Sequence, residues 1–288
     1  MFSVCFTVAI TVRLFNLASK KKQPDRITPD IPSSTGLDFI DISPTLTEQI
    51  RLKSRKENTS VAAVLVVVGM IAARSAFDKL YNNKVIGRQG WVLTNSLRHL
   101  IPGSELKNGA DKHVDPATSV FGSYSGSVSD AACRLTDSSL FWKKCRMVKS
   151  RISTINFSSV ARLKLIKYVS TKPRLYKYLQ KSLDLKKFTR SYAVEVANLG
   201  AWDKPKTDVD LSHFGGMINA NYDGARALFT IVSITIDGAM SIGIGYDTSA
   251  VHEEDAIKFK ECFVLVLERL VDSEKNVRVG ALRRMDVV

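Results

Sequence analysis

Apolar residues recur along this chain with two different periods, and the alternation between them predicts an α/β protein. Residues 141–155 repeat apolar side chains every three or four positions, which is typical of a helix with one buried face. Residues 192–196, 228–236 and 241–246 are short β-branched or aromatic runs bounded by turn residues, as strands are. The predicted order is helix, strand, strand, helices, strand, hairpin, helix, which favours a mixed sheet with flanking helices.

Further helices are predicted from capping and apolar runs. Thr45 with Glu48 three residues later fits a capping box that opens a helix near Ser43. Residues 61–73 are almost wholly apolar but short for a membrane span, so we interpret them as a buried core helix, with a transmembrane helix as the alternative. Ser138 and Ser139 are predicted to cap the helix over 141–155, and further helices are predicted over 159–169 and 253–271.

Turn residues locate the predicted strands. Asp237-Gly238 separates two β-rich runs and predicts a tight hairpin. A strand over 91–97 is predicted to end before Pro102, and a glycine-rich strand is predicted over 120–128. The strand at 192–196 is predicted to end in Asn198-Leu199-Gly200.

The first 36 residues differ in composition from the rest, and we predict a domain boundary there. Residues 2–18 are mostly apolar, and three lysines follow at 20–22. Residues 2–22 have three equally open interpretations: a membrane anchor, an interfacial helix, or a replaced start of an ancestral domain. The anchor and the interfacial helix would both contact a membrane surface. Prolines at 24, 29 and 32 mark a linker, and residues 37–288 form the predicted main domain. The expected location is the cytoplasm, with a peripheral or anchored position at the endoplasmic reticulum membrane as an open alternative.

The chain has 42 Lys and Arg against 28 Asp and Glu, a formal net charge of +14. Such a charge favours anionic partners such as CoA phosphates, acidic lipids or nucleic acid, and a solvated basic face is the alternative. Nucleic-acid binding through the basic, tyrosine-containing region 143–190 is the weakest of these interpretations, because no recognised module is visible. The cysteines at 5, 133, 145 and 262 lack metal-site spacing, so no metal site is predicted, and Cys145 is expected in the core.

Several short motifs occur in an order that resembles a known family. They are Gly90-Trp-Val-Leu-Thr-Asn-Ser-Leu-Arg98, Gly122 and Tyr124, Phe141-Trp142, Tyr192-Ala-Val-Glu-Val-Ala-Asn-Leu-Gly200, and Tyr246-Asp247. Together they resemble the second half of fungal alcohol acetyltransferase-like proteins, within the superfamily of CoA-dependent acyltransferases and condensation domains. The resemblance covers roughly residues 40–272 and implies one lobe of the chloramphenicol-acetyltransferase-like two-lobed fold.

The family's general base is missing from these residues. The resemblance implies a His-x-x-x-Asp motif, but the residues four positions after His99, His113, His213 and His252 are Gly, Ala, Met and Ala. His252 with the acidic residues after it is better explained as the first turn of a helix, where carboxylates favour the helix dipole. We therefore name no catalytic residue and expect an acyltransferase-family protein that is incomplete or inactive alone, or a non-catalytic scaffold.

The resemblance also implies a substrate-binding region at the interlobe cleft. It places Asn95, Arg98, Asn198 and Trp202 nearest that cleft, although Asn198 is also a natural strand-end turn residue. No bound cofactor is expected, and acyl-CoA would serve as co-substrate. The implied partners are a complementary N-terminal lobe or a second copy of this chain.

Overall fold

The computed structural model describes residues 35–77, 89–96, 125–154, 192–202, 227–248 and 250–283. In chain order the strands and helices are β1 Thr35–Ile42, α1 Pro44–Lys56, α2 Val61–Ala76, β2 Gln89–Ser96, β3 Ser125–Cys133, α3 Phe141–Ile152, β4 Tyr192–Trp202, β5 Ala227–Ile236, β6 Ala239–Asp247, α4 Glu253–Val271 and α5 Val279–Arg283.

The strands form one six-stranded mixed sheet, which confirms the predicted α/β class. Their order across the sheet is β1-β6-β5-β4-β2-β3. The three neighbouring strands β5, β4 and β2 run parallel to one another, and β6, β1 and β3 pair antiparallel at the two sides. The parallel strands therefore form the centre of the sheet.

Helix α2 is the centre of the core and confirms the core-helix prediction for residues 61–73. Twelve of its sixteen residues are buried, because it lies between the sheet and the outer helices α3 and α4. Gly69 faces the sheet, where an added Cβ would lie 2.6 Å from Ile231 Cδ1 and 3.2 Å from Val194 Cγ1. A glycine at this position therefore lets the helix backbone approach β4 and β5.

The described helices pack on one face of the sheet. Phe259 of α4 stacks on Phe229 of β5 with ring centroids 3.8 Å apart, and Phe229 lies on the same strand face as Ile231, which contacts α2. Helices α1, α3 and α5 contact α2 or α4. The prediction of a helix over 253–271 is confirmed. No single helix among the described residues is long and apolar enough to cross a membrane, although α1 and α2 pass that test as a pair bent by 103°.

Two helix starts differ from the prediction. Ser43, not Thr45, caps α1: its Oγ accepts a hydrogen bond from Leu46 N, and Pro44 occupies the first helical position, where a missing N–H costs nothing. Helix α3 begins after Leu140, which has no side-chain cap, and Ser139 Oγ instead accepts from Thr136 N. The start of α3 is held by its backbone, because Phe141 N donates to Val277 O.

The strands also depart from the prediction in part. Strand β1 was not predicted, and β3 spans residues 125–133 rather than 120–128. Strand β4 continues past Gly200 to Trp202. The predicted helix over 159–169, the residues Gly122 and Tyr124, the turn at Pro102, and the predicted linker and membrane-contacting segment all lie outside the described residues.

The turn between α1 and α2 is tied to α3 by charged side chains. Arg146 Nη1 lies 3.4 Å from Oε2 of the buried Glu57 and donates to Glu57 O, while Lys149 Nζ donates to Asn58 O and Oδ1. Two basic residues from the stretch considered for nucleic-acid binding are therefore engaged in contacts within the fold.

The hairpin between β5 and β6 confirms the Asp237-Gly238 prediction. Asp237 has φ of 50° and Gly238 has φ of 82°, so both central residues are left-handed. This is the backbone of a type I′ turn, whose twist matches the twist of the flanking strands. Only glycine, and to a lesser extent Asn or Asp, adopts this conformation readily.

We predict that Gly238→Ala lowers the free energy of unfolding by roughly 1–2 kcal/mol, because a Cβ is disfavoured in the left-handed region. The new methyl group would be 3.7 Å from Pro44 Cβ, so conformation rather than a clash sets the cost. Urea unfolding followed by circular dichroism measures it. The control Asp237→Asn should change stability little, and an equal loss in both variants would contradict this account.

Candidate functional site

Three adjacent strand ends define the candidate site. In open sheets of this kind, ligands bind outside the carboxyl ends of the parallel strands. Here those ends belong to β2, β4 and β5, which are neighbours in the sheet. Of the four residues predicted to bind substrate, Asn95 lies near the end of β2, and Asn198 and Trp202 lie near the end of β4. Arg98 lies outside the described residues.

Asn95 and Asn198 lie side by side in the backbone of the sheet. Thr94 pairs with Ala197, so the next residue on each of these parallel strands is an asparagine. Asn198 in turn pairs with Ser233 of β5, and Asn95 pairs with Gly126 of β3. Residues that are 103 positions apart in sequence thus belong to one row across the sheet.

The side chain of Asn198 is used in a local turn. Its Oδ1 accepts a hydrogen bond of 2.8 Å from Gly200 N, and Gly200 has φ of 84°. The register of β4 against β5 shifts between Asn198 and Ala201, so this turn accommodates a bulge. The side-chain oxygen of Asn198 therefore forms a hydrogen bond to the backbone of its own strand. Beyond the bulge, Trp202 pairs with Ile236.

Ser233 is a polar residue of this row that the sequence interpretation missed. It is 1% exposed, and its Oγ is one of three buried polar side-chain atoms in the described part of the chain with no hydrogen-bond partner. A buried hydroxyl without a partner costs about 1–3 kcal/mol. The only available signal was a single serine within the apolar run Ile231-Val-Ser-Ile234.

The opposite face of the same strands has a second polar group. Thr94 Oγ1 donates to Glu195 Oε1 at 3.3 Å, and Glu195 pairs in register with Thr230 of β5. Glu195 alternates along β4 with Val194 and Val196, and Val194 lies against Gly69 of α2, so the Glu195 carboxylate is on the face away from the described helices. A carboxylate near the middle of a central strand was likewise not singled out from the sequence.

The histidine within the described residues has the structural role expected of it. His252 is the N-cap position of α4, and Glu253, Glu254 and Asp255 form the first turn. These carboxylates interact favourably with the positive end of the helix dipole. His99, His113 and His213 lie outside the described residues. No group of three or more His, Cys, Asp or Glu residues in the described ranges is arranged to hold a metal ion.

The cysteines of the described region are core residues, as predicted for Cys145. Burial raises the pKa of the Cys145 thiol well above its usual value, and burial also raises the pKa of Cys133 and Cys262. Since the thiolate is the nucleophile, a raised pKa makes these groups poor candidates for covalent catalysis.

Comparison with solved structures identifies the fold. The chain is similar to the epimerization domain from the third module of tyrocidine synthetase B, with a TM-score of 0.56 and 12% identity over 93% of this chain and 55% of that one. It is similar to the nonribosomal peptide synthetase FmoA3, with a TM-score of 0.54 and 12% identity over 88% of this chain and 24% of that one. SgcC5 from Streptomyces globisporus gives a TM-score of 0.53 and 12% identity over 86% of this chain and 50% of that one.

The chain therefore has the condensation-domain-like mixed α/β fold. Identities of 12% establish the fold and not the activity. The chain spans about half the length of the epimerization domain and of SgcC5. No protein-family model matches the sequence, and no curated protein matches it. Alcohol acetyltransferase relationship remains a prediction from the motifs.

We predict that Asn198→Leu lowers the free energy of unfolding by about 1 kcal/mol, because Gly200 N loses its acceptor at the bulge. Asn198→Asp keeps an acceptor oxygen and should be close to the parent. Chemical denaturation of both variants measures the difference. Equal stability of Asn198→Leu and the parent would show that the turn does not depend on this side chain.

We predict that iodoacetamide at pH 8 modifies Cys145 at least about tenfold more slowly in the folded chain than in urea, because the buried thiol has a raised pKa and little thiolate forms. The modification rate should rise with pH in both states. In the folded chain this rise should occur at a higher pH than in urea, because the pKa of the Cys145 thiol is raised. Peptide mapping by mass spectrometry follows each cysteine separately. Similar folded and unfolded rates at Cys145 would contradict the buried position.

Proposed function

We propose that this chain is one lobe of an acyl-transferring protein of the condensation-like fold, with its general base supplied from outside these 288 residues. The observation that supports the proposal most directly is the structural similarity. It extends over 93% of this chain but over only 55% of the epimerization domain. A chain that corresponds to a single lobe of a two-lobed fold would match almost completely while covering only about half of the two-lobed protein.

The chemistry requires a base that the described residues do not provide. In acyl transfer to an alcohol, the hydroxyl oxygen bonds to the thioester carbonyl carbon, the base takes the hydroxyl proton, and the carbon–sulfur bond breaks to release a thiol. The base must lie within hydrogen-bond reach of that proton. His252, the histidine of the described region, occupies a helix cap, and none of the four histidines in the sequence is followed by Asp at the fourth position.

The finer assignment, acetyl transfer from acyl-CoA to a small alcohol or amine, rests on the ordered motifs. In this proposal the ends of β2 and β4 form this lobe's side of the cleft, where Asn95, Asn198 and Trp202 would meet substrate together with Arg98, which lies outside the described residues. Oδ1 of Asn198 accepts a hydrogen bond from Gly200 N, and in this proposal the amide N–H groups of Asn198 donate to an acyl or pantetheine group.

A non-catalytic interaction protein is the second candidate function. It is supported by Leu37 and Phe39, which are 44% and 48% exposed on neighbouring same-face positions of β1. Exposed apolar side chains that cluster on one element favour an association surface. The proposed contact of residues 2–22 with a membrane surface, and a cytoplasmic location at the endoplasmic reticulum, remain proposals from composition.

We predict that the purified chain alone releases no CoA thiol from acetyl-CoA with small alcohols above the rate of hydrolysis. Addition of a separate polypeptide that carries a His-x-x-x-Asp lobe should produce ester, because the missing base then faces the cleft. Thiol release and gas chromatography of the ester provide two readouts. Unaided turnover that is abolished by changing one of His99, His113, His213 or His252 to Ala would disprove an external base.

A further inference from the structure

Helices α1 and α3 are strongly basic. Helix α1 has four Lys and Arg residues and α3 has five, whereas the single acidic residue of the two helices, Glu48, is in an ion pair with Arg51. Five of these basic side chains are exposed or half-buried and form no ion pair within the described part of the chain: Arg55, Lys56, Lys143, Lys144 and Arg151. These five cations are therefore available to an anionic partner.

The second half of α1 lies beside α3. Lys53 Nζ of α1 is 5.9 Å from the centroid of the Trp142 ring. Farther along, Arg146 Nη1 of α3 is 3.4 Å from Oε2 of Glu57, the residue at the end of α1. The contact moves towards the end of both helices together, so they run side by side in the same direction. Their outer faces therefore adjoin.

Each of the two helices exposes one large apolar side chain, and both point to the same side. Leu52 of α1 and Met147 of α3 are 52% and 49% exposed. Leu52 directly precedes Lys53, and Met147 directly follows Arg146, and these two basic residues face the neighbouring helix. Successive helical residues are about 100° apart. Because the helices are parallel, the opposite offsets turn Leu52 and Met147 to one common side, away from the core.

Basic residues surround both apolar side chains. Lys143 and Arg151 lie four residues before and after Met147, and Lys56 lies four residues after Leu52, so each is a neighbour on the helix surface. A protein interface has a core depleted in charge, which this arrangement lacks. No exposed aromatic side chain of α1 or α3 is present to stack on nucleic-acid bases. The name α1–α3 surface is used for these two apolar and five basic residues: Leu52, Arg55, Lys56, Lys143, Lys144, Met147 and Arg151.

We propose that the α1–α3 surface binds a membrane that contains anionic lipids, with Leu52 and Met147 entering the head-group layer. Apolar side chains within a layer of cations match a bilayer interface, where anionic head groups lie above the acyl chains. The attraction acts within about one Debye length, so it requires cations at the surface, as these are. The proposal is independent of the proposed acyl transfer, because it uses no residue of the strand ends, and it does not involve residues 2–22.

We predict that the full chain co-sediments with mixed phosphatidylcholine–phosphatidylserine vesicles and much less with pure phosphatidylcholine vesicles. The double variant Lys56→Gln/Lys143→Gln should weaken binding to the mixed vesicles at least about tenfold, because each basic residue near an anionic surface contributes about fivefold. The matched control, Arg134→Gln/Lys258→Gln, removes the same charge from exposed positions outside α1 and α3 and should bind like the parent. All four positions are exposed, and thermal melts should confirm that both variants fold.

A second variant separates a membrane from other polyanions. Leu52→Ser/Met147→Ser keeps every charge and should weaken binding to the mixed vesicles at least about fivefold, because contact with the acyl chains is lost. Equal binding of the parent to mixed and neutral vesicles would indicate insertion of another segment and would overturn the proposal. An unchanged serine variant, equal loss in the charge control, or tighter binding of a duplex oligonucleotide than of the mixed vesicles would overturn it as well.

Discussion

The close approach of helix α2 to the middle of the sheet is the constraint on which the other contacts depend. Gly69 leaves room for Ile231 and Val194, so the helix lies directly on β5 and β4. With its remaining sides covered by α3 and α4, it is buried nearly all round. Each fully buried Val or Leu of this kind contributes about 1.5–3 kcal/mol, so the helix fixes the strands that it covers and thereby their ends.

Those strand ends bring the candidate site together. Parallel β2, β4 and β5 place Asn95, Asn198 and Ser233 in one row, although no two of them are close in sequence. The row combines a turn that uses Asn198 Oδ1 with a buried Ser233 hydroxyl that has no hydrogen-bond partner in the described part of the chain. Polar groups are therefore present at these strand ends, and the proposed acyl transfer would require a proton-accepting group from residues beyond those described.

Elements whose conformation is set by neighbouring residues could be predicted from the sequence, whereas elements that depend on distant pairing could not. The hairpin at Asp237-Gly238 was predictable because two adjacent residues must be left-handed, and α2 was predictable from its uninterrupted apolar run. Strand β1 was missed because its exposed Leu37 and Phe39 and its two aspartates obscure the usual apolar–polar alternation. Its strand conformation depends on pairing with β6, which is some 200 residues away in sequence.

The sequence by itself determined the α/β class, the core helix, the hairpin and the last helix, since propensity, periodicity and turn chemistry act over a few residues. It also indicated the condensation-like fold through the order of its motifs. Tertiary structure alone decided the strand order, the use of Ser43 as the cap of α1, the pairing of Asn198 with Ser233 and the position of β1 beside β6. These depend on which distant segments meet, and that is set by burial of the whole sheet against α2 and α4 rather than by any local signal.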